Sequence, residues 1–84
     1  MALGLQHQTA AQFADRLRAK WRAAEKLEKG RLATWIIDRH TAGDITTAQI
    51  RTAFQLDAAQ FTAFAARLQT LRTHYLAIMA EAQE

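Results

Sequence analysis

Two six-residue stretches, Ile45-Thr46-Thr47-Ala48-Gln49-Ile50 and Leu56-Asp57-Ala58-Ala59-Gln60-Phe61, decide the fold. Each places a short oxygen-bearing side chain, Thr46 or Asp57, three residues before a glutamine and between two apolar residues. That is the pattern of a capped helix start. The Thr or Asp oxygen accepts from the third helical amide, the glutamine reaches back to the cap amide, and the flanking apolar residues staple together. Helices therefore begin at Thr47 and Ala58, only eleven residues apart. A short helix from Thr47 to about Phe54 must turn through Gln55 and Leu56 into a second helix.

Downstream of Ala58 the apolar residues Phe61, Phe64, Leu68, Leu71, Tyr75, Ile78 and Ala82 recur every three or four positions, widened by Leu76 and Met79. This is one helical seam carried to about Ala82. Such a helix is ~38 Å long at 1.5 Å per residue. A compact domain of this chain length has a radius of gyration of only ~12 Å. The far end, with Tyr75, Leu76, Ile78 and Met79, is thus expected to outrun the cover its own chain supplies.

Upstream, Thr9 and Gln12 form a third capping box ahead of Phe13, Leu17, Trp21 and Ala24. The spacing predicts a first helix from about Ala10 to about Lys29, with a break or kink near Gly30, because a straight continuation would carry Arg31 onto the apolar face. A second helix then carries Leu32, Trp35 and Ile36 inward. It ends with Arg39 and His40 in its last turn, where a cation complements the helix dipole, and with Gly43 as terminator.

Composition agrees with an all-α fold. The 84 residues include 19 Ala and no Pro, Val, Ser, Asn or Cys, so strand formers and helix breakers are scarce. We expect a single helical domain over residues 1–84, with 1–8 as an N-terminal extension. It has three to four helices, a helix-turn-helix-like centre, and a long C-terminal helix packed on the N-terminal helix. Residues 1–8 carry no Lys or Arg and too few apolar residues for a signal peptide. No apolar run approaches the roughly 20 residues of a membrane span. The expected setting is cytoplasmic or within an assembled particle.

The same composition removes most chemistry. Without Cys or Ser there are no thiolate or serine nucleophiles, no disulfides and no Cys-based metal sites. His7, His40 and His74 stand apart, with no pair at helical spacing and no acidic partner in a metal-binding motif, and the three glycines form no phosphate loop. We expect no enzyme activity, no catalytic or metal-binding residues and no cofactor.

Charge is uneven: residues 1–43 sum to +4 and residues 44–84 to −1. On a continuous first helix Arg18, Arg22, Lys26 and Lys29 share one face, opposite Leu17 and Trp21. That face is either a solvated surface or a set of phosphate contacts. Ile45 to Leu68 resembles a helix-turn-helix. The resemblance implies base reading from the exposed start of its second helix, here Ala58, Ala59, Gln60, Thr62 and Ala63. It departs from the pattern at Gln55, where Gly is usual, and at Arg51, where a small residue is usual. The candidate nucleic-acid contacts are therefore Arg18, Arg22, Lys26, Lys29 and Gln60.

The stretch Trp35-Ile36-Ile37-Asp38-Arg39-His40-Thr41-Ala42-Gly43-Asp44-Ile45-Thr46, followed by Gln49-Ile50-Arg51 and Phe54-Gln55-Leu56, resembles small all-helical proteins of tailed-phage virion modules. The resemblance implies a non-enzymatic part in particle assembly, bound to larger structural proteins. The leading expectation is accordingly an assembly or interaction protein with a protein partner or a homo-oligomeric state. Its interface would use Trp21, Trp35, Tyr75, Leu76, Ile78 and Met79. The alternative is a helix-turn-helix DNA binder, a regulator or a packaging component.

Overall fold

The computed structural model describes residues 9–83, so the expected N-terminal extension and His7 lie outside the described residues. Four helices follow one another, α1 (Ala10–Ala23), α2 (Lys26–Thr41), α3 (Thr47–Phe54) and α4 (Ala58–Ala82), with no strand among the described residues.

All three capping boxes form. The Thr9, Thr46 and Asp57 side chains accept from the amides of Gln12, Gln49 and Gln60 at 3.1, 3.1 and 2.7 Å. The three glutamine Oε1 atoms accept from the cap amides at 3.0, 2.8 and 2.9 Å. Ile45 and Ile50, the stapled pair around Thr46, are both buried.

The helix ends are equally local in origin. After α2, Gly43 takes φ +85°. Its amide donates to the His40 carbonyl at 3.1 Å and the Asp44 amide donates to that of Arg39 at 2.9 Å, so two otherwise orphaned carbonyls are satisfied. The Arg39 and Asp44 side chains close over this turn at 2.9 Å. After α3 the same left-handed geometry falls on Gln55, φ 56°, where the Leu56 amide donates to the Arg51 carbonyl at 2.9 Å. A side chain in that conformation costs about 1 kcal/mol that glycine does not pay.

The break between the first two helices lies at Ala24 and Glu25, not near Gly30. Ala24 is extended, with ψ 136°, and Glu25 serves as the N-cap of α2 without a side-chain hydrogen bond. The reason is phase. At about 100° per residue, Trp21 and Gly30 would stand half a turn apart on a continuous helix. Yet both are buried. Only a break between them lets each face the core, and α2 restarts with Gly30, Ala33 and Ile36 as its buried stripe.

Gly30 therefore sits inside a helix, where it normally weakens the element. Its role is close approach. A Cβ built on it would lie 2.8 Å from Tyr75 Cβ and 3.1 Å from the Leu71 carbonyl oxygen of α4. Leu27, near the start of α2, shares a groove with Ile78, and Asp38, near its end, pairs with Arg72 at 3.6 Å, so α2 and α4 run antiparallel.

Helix α1 packs mainly on α3, and α2 on α4. The two pairs are joined by Trp21, Phe54 and Phe64, one aromatic ring each from α1, α3 and α4. Trp21 meets Phe54 and Phe64 edge-on at 5.7 and 5.4 Å, and the two phenylalanines lie 4.6 Å apart. Through Trp21 and Phe64 the long helix touches the N-terminal helix, while most of its length is covered by α2. The molecule measures 41 × 37 × 25 Å with a radius of gyration of 13.4 Å, above the ~12 Å of a compact chain this long. Helix α4 accounts for one long dimension.

Two substitutions test this account by chemical denaturation. Gly30→Ala should destabilise the protein by up to about 2 kcal/mol, because forcing two helix backbones apart costs about 1–3 kcal/mol against about 1 kcal/mol of improved helix propensity. Gln55→Gly should stabilise it by about 0.5–1 kcal/mol, because the left-handed turn is then free of side-chain strain.

Candidate protein-interaction surface

The buried core of the described residues is small: Ala14, Leu17, Trp21, Ala33, Ile36, Ile45, Ile50, Ala53 and Leu68. Against it, four large apolar side chains stand in solvent, Leu27 at 49% exposure, Ile78 at 44%, Leu76 at 42% and Trp35 at 38%. All four come from the two helices of the antiparallel α2·α4 pair.

The α4 seam explains this distribution. From Phe61 to Leu71 it is at least half-buried, with Leu68 fully so. Past Tyr75 only the first turn of α2 still borders it, Met79 stays half-buried there, and Ile78 and Ala82 are exposed. Helical spacing places Leu71, His74 and Ile78 on one side of Tyr75, and Arg72, Leu76 and Met79 on the other. On the first side a groove of about 460 Å³ is lined by Leu27, Gly30, Leu71, His74, Tyr75 and Ile78. On the second, a groove of about 520 Å³ lies between Met79 and Tyr75 of α4 and the Leu27, Glu28 and Arg31 edge of α2. Leu27 borders both grooves, although its sequence position marks it only as a flank of the first helix.

The expected interface residues thus divide. Tyr75, Leu76, Ile78 and Met79 lie together at the end of α4. Trp35 does not point inward as expected. Restarting the helical phase at Gly30 and Ile36 turns it outward, where it lines a cleft of about 660 Å³ between α1 and α2. Trp21 is buried to 9% exposure among Phe54 and Phe64, a core residue that no partner can reach.

The expected basic face is divided by the break at Ala24. Arg18 and Arg22 remain on α1, with Arg18 paired to Asp15 at 2.8 Å. Lys26 and Lys29 belong to α2, and Lys29 Nζ lies 5.8 Å from the Trp21 ring centroid, a cation–π contact on the apolar side. The start of α4 is exposed at Ala58, Ala59, Gln60, Thr62 and Ala63, as a helix-turn-helix reader requires. There the Gln60 Oε1 is held by the Asp57 amide, so a bidentate grip on adenine would break the cap.

His40 Nε2 lies 3.0 Å from the Thr47 hydroxyl, bridging α2 to α3, and His74 lies in the Ile78 groove. Among the described residues no three His, Asp or Glu side chains converge as a metal site. No helix of the described residues is long and apolar enough to cross a membrane. No protein-family model, curated protein or solved structure matches the chain.

The two tryptophans should separate cleanly in thermal and chemical unfolding. Trp21→Ala should cost about 3–5 kcal/mol, enough to unfold a domain this small. Trp35→Ala should cost under about 1.5 kcal/mol. Equal losses would show that Trp35 belongs to the monomer's core.

Proposed function

We propose that this chain is a small, non-enzymatic helical interaction protein that docks through the apolar end of α4 and the adjoining start of α2. The observation that carries the reading is the seam of α4, which continues past Tyr75 while its intrachain cover thins to the first turn of α2. It leaves Ile78 at 44% exposure beside Leu27 on one side of Tyr75, and Leu76 at 42% exposure on the other side. Exposed apolar side chains gathered at one helix end mark association surfaces, and Tyr and Met are frequent anchors in them. The likeness of residues 35–56 to small helical proteins of tailed-phage virion modules supports the setting: a component held by larger structural proteins in particle assembly. Lys29 engaged by Trp21 and Gln60 engaged by its cap favour protein over DNA as the partner.

Leu76→Glu combined with Ile78→Glu tests the surface, because both side chains are exposed whereas Met79 is half-buried. The double variant should keep its helical circular dichroism and lose at most about 1 kcal/mol of stability. Its retention on a phenyl matrix should fall. Unfolding of the variant, or unchanged retention, would overturn the reading.

A further inference from the structure

The α1–α2 cleft created by the break at Ala24 has an apolar floor with Phe13, Leu17, Leu32 and Trp35. Its walls carry Arg16, Lys20 and Arg31, with Glu28 the only acid. Arg16 and Lys20, one turn apart on α1, have no ion-pair partner among the described residues. Arg31 reaches Glu28 at only 3.4 Å. The cleft is therefore an apolar slot with surplus positive charge on its walls.

The end of α4 has the opposite character. Its last two turns hold Leu76, Ile78 and Met79 with Glu81 as the single charge among the described residues, and no Lys or Arg lies between Arg72 and the end of the helix at Ala82. The last turn contains no basic residue, so the negative end of the helix dipole is left uncompensated by its own side chains. Apolar side chains, a carboxylate and a bare helix C-terminus match an apolar slot rimmed by guanidinium and ammonium groups.

We infer that the α1–α2 cleft receives the end of α4 from a second copy of this chain, with Arg16, Lys20 and Arg31 facing the Glu81 carboxylate and the helix terminus. This rests on the reading of the α4 end as an association surface and names both its partner and its seat. Knob and cleft are different patches, so one-way seating propagates and reciprocal seating closes as a pair.

Charge exchange in the full chain tests the match, with light scattering and sedimentation used to measure self-association over a range of concentrations. Arg16→Glu with Lys20→Glu reverses the cleft walls, and Glu81→Lys reverses the knob; all three positions are exposed, so folding should persist. Each variant should weaken self-association roughly tenfold, and combining all three in one chain should restore most of it.

A wild-type chain that stays monomeric up to about 1 mM overturns the inference. The α4 surface, probed separately by phenyl retention, is untouched by that result. Self-association that is lost in Leu76→Glu with Ile78→Glu but indifferent to all three charge reversals also overturns it, because the knob then seats elsewhere. If the Leu76 and Ile78 double variant unfolds, the reading of the α4 end fails and the inference fails with it.

Discussion

Trp21 and Gly30 cannot both face the core from one continuous helix, and the rest of the structure follows from that conflict. Trp21 is held by Phe54 and Phe64, which tie α1 to α3 and α4. Gly30 is held by Tyr75 and Leu71, where the absent Cβ lets α2 and α4 approach at backbone distance. Both contacts bury apolar surface that a chain of 84 residues can ill spare. The backbone yields instead at Ala24 and Glu25, where no core side chain is lost and where Glu25 starts the new helix without a side-chain cap.

Three consequences reach the surface. The angle between α1 and α2 opens a cleft with an apolar floor and basic walls. Trp35, in phase with Trp21 on an unbroken helix, is carried out of phase and lines that cleft. Lys29, which an unbroken helix would present to solvent beside Arg18 and Arg22, lies over the Trp21 ring. One local rephasing thus converts an apparent basic face into two separate sets of cations, and an apparent core tryptophan into a surface one.

The antiparallel α2·α4 pair is asymmetric for a related reason. Helix α2 has sixteen residues and α4 twenty-five, so α4 is covered over only part of its length. Its N-terminal half packs under α2 and against the aromatic cluster. Its C-terminal turns carry side chains as apolar as the covered ones, with only the first turn of α2 beside them. Apolar surface left wet on so small a domain is costly, and the proposed association would cover it. In the proposed self-association, the electrostatic contrast between that end and the cleft would set the direction.

Read alone, the sequence determined every helix start that a side chain encodes. Thr9 with Gln12, Thr46 with Gln49 and Asp57 with Gln60 are contacts within three residues, so they depend on nothing distant. Gly43 as terminator and the spans of α3 and α4 follow from the same short-range rules. The break at Ala24, the burial of Trp21, the exposure of Trp35 and the dispersal of the basic face were decided only by tertiary packing. No capping side chain marks the α1–α2 junction, and Ala24 and Glu25 are both compatible with helix. What places the break is the demand that Trp21 meet α3 and α4 while Gly30 meets α4, a constraint between residues brought together only when the helices pack.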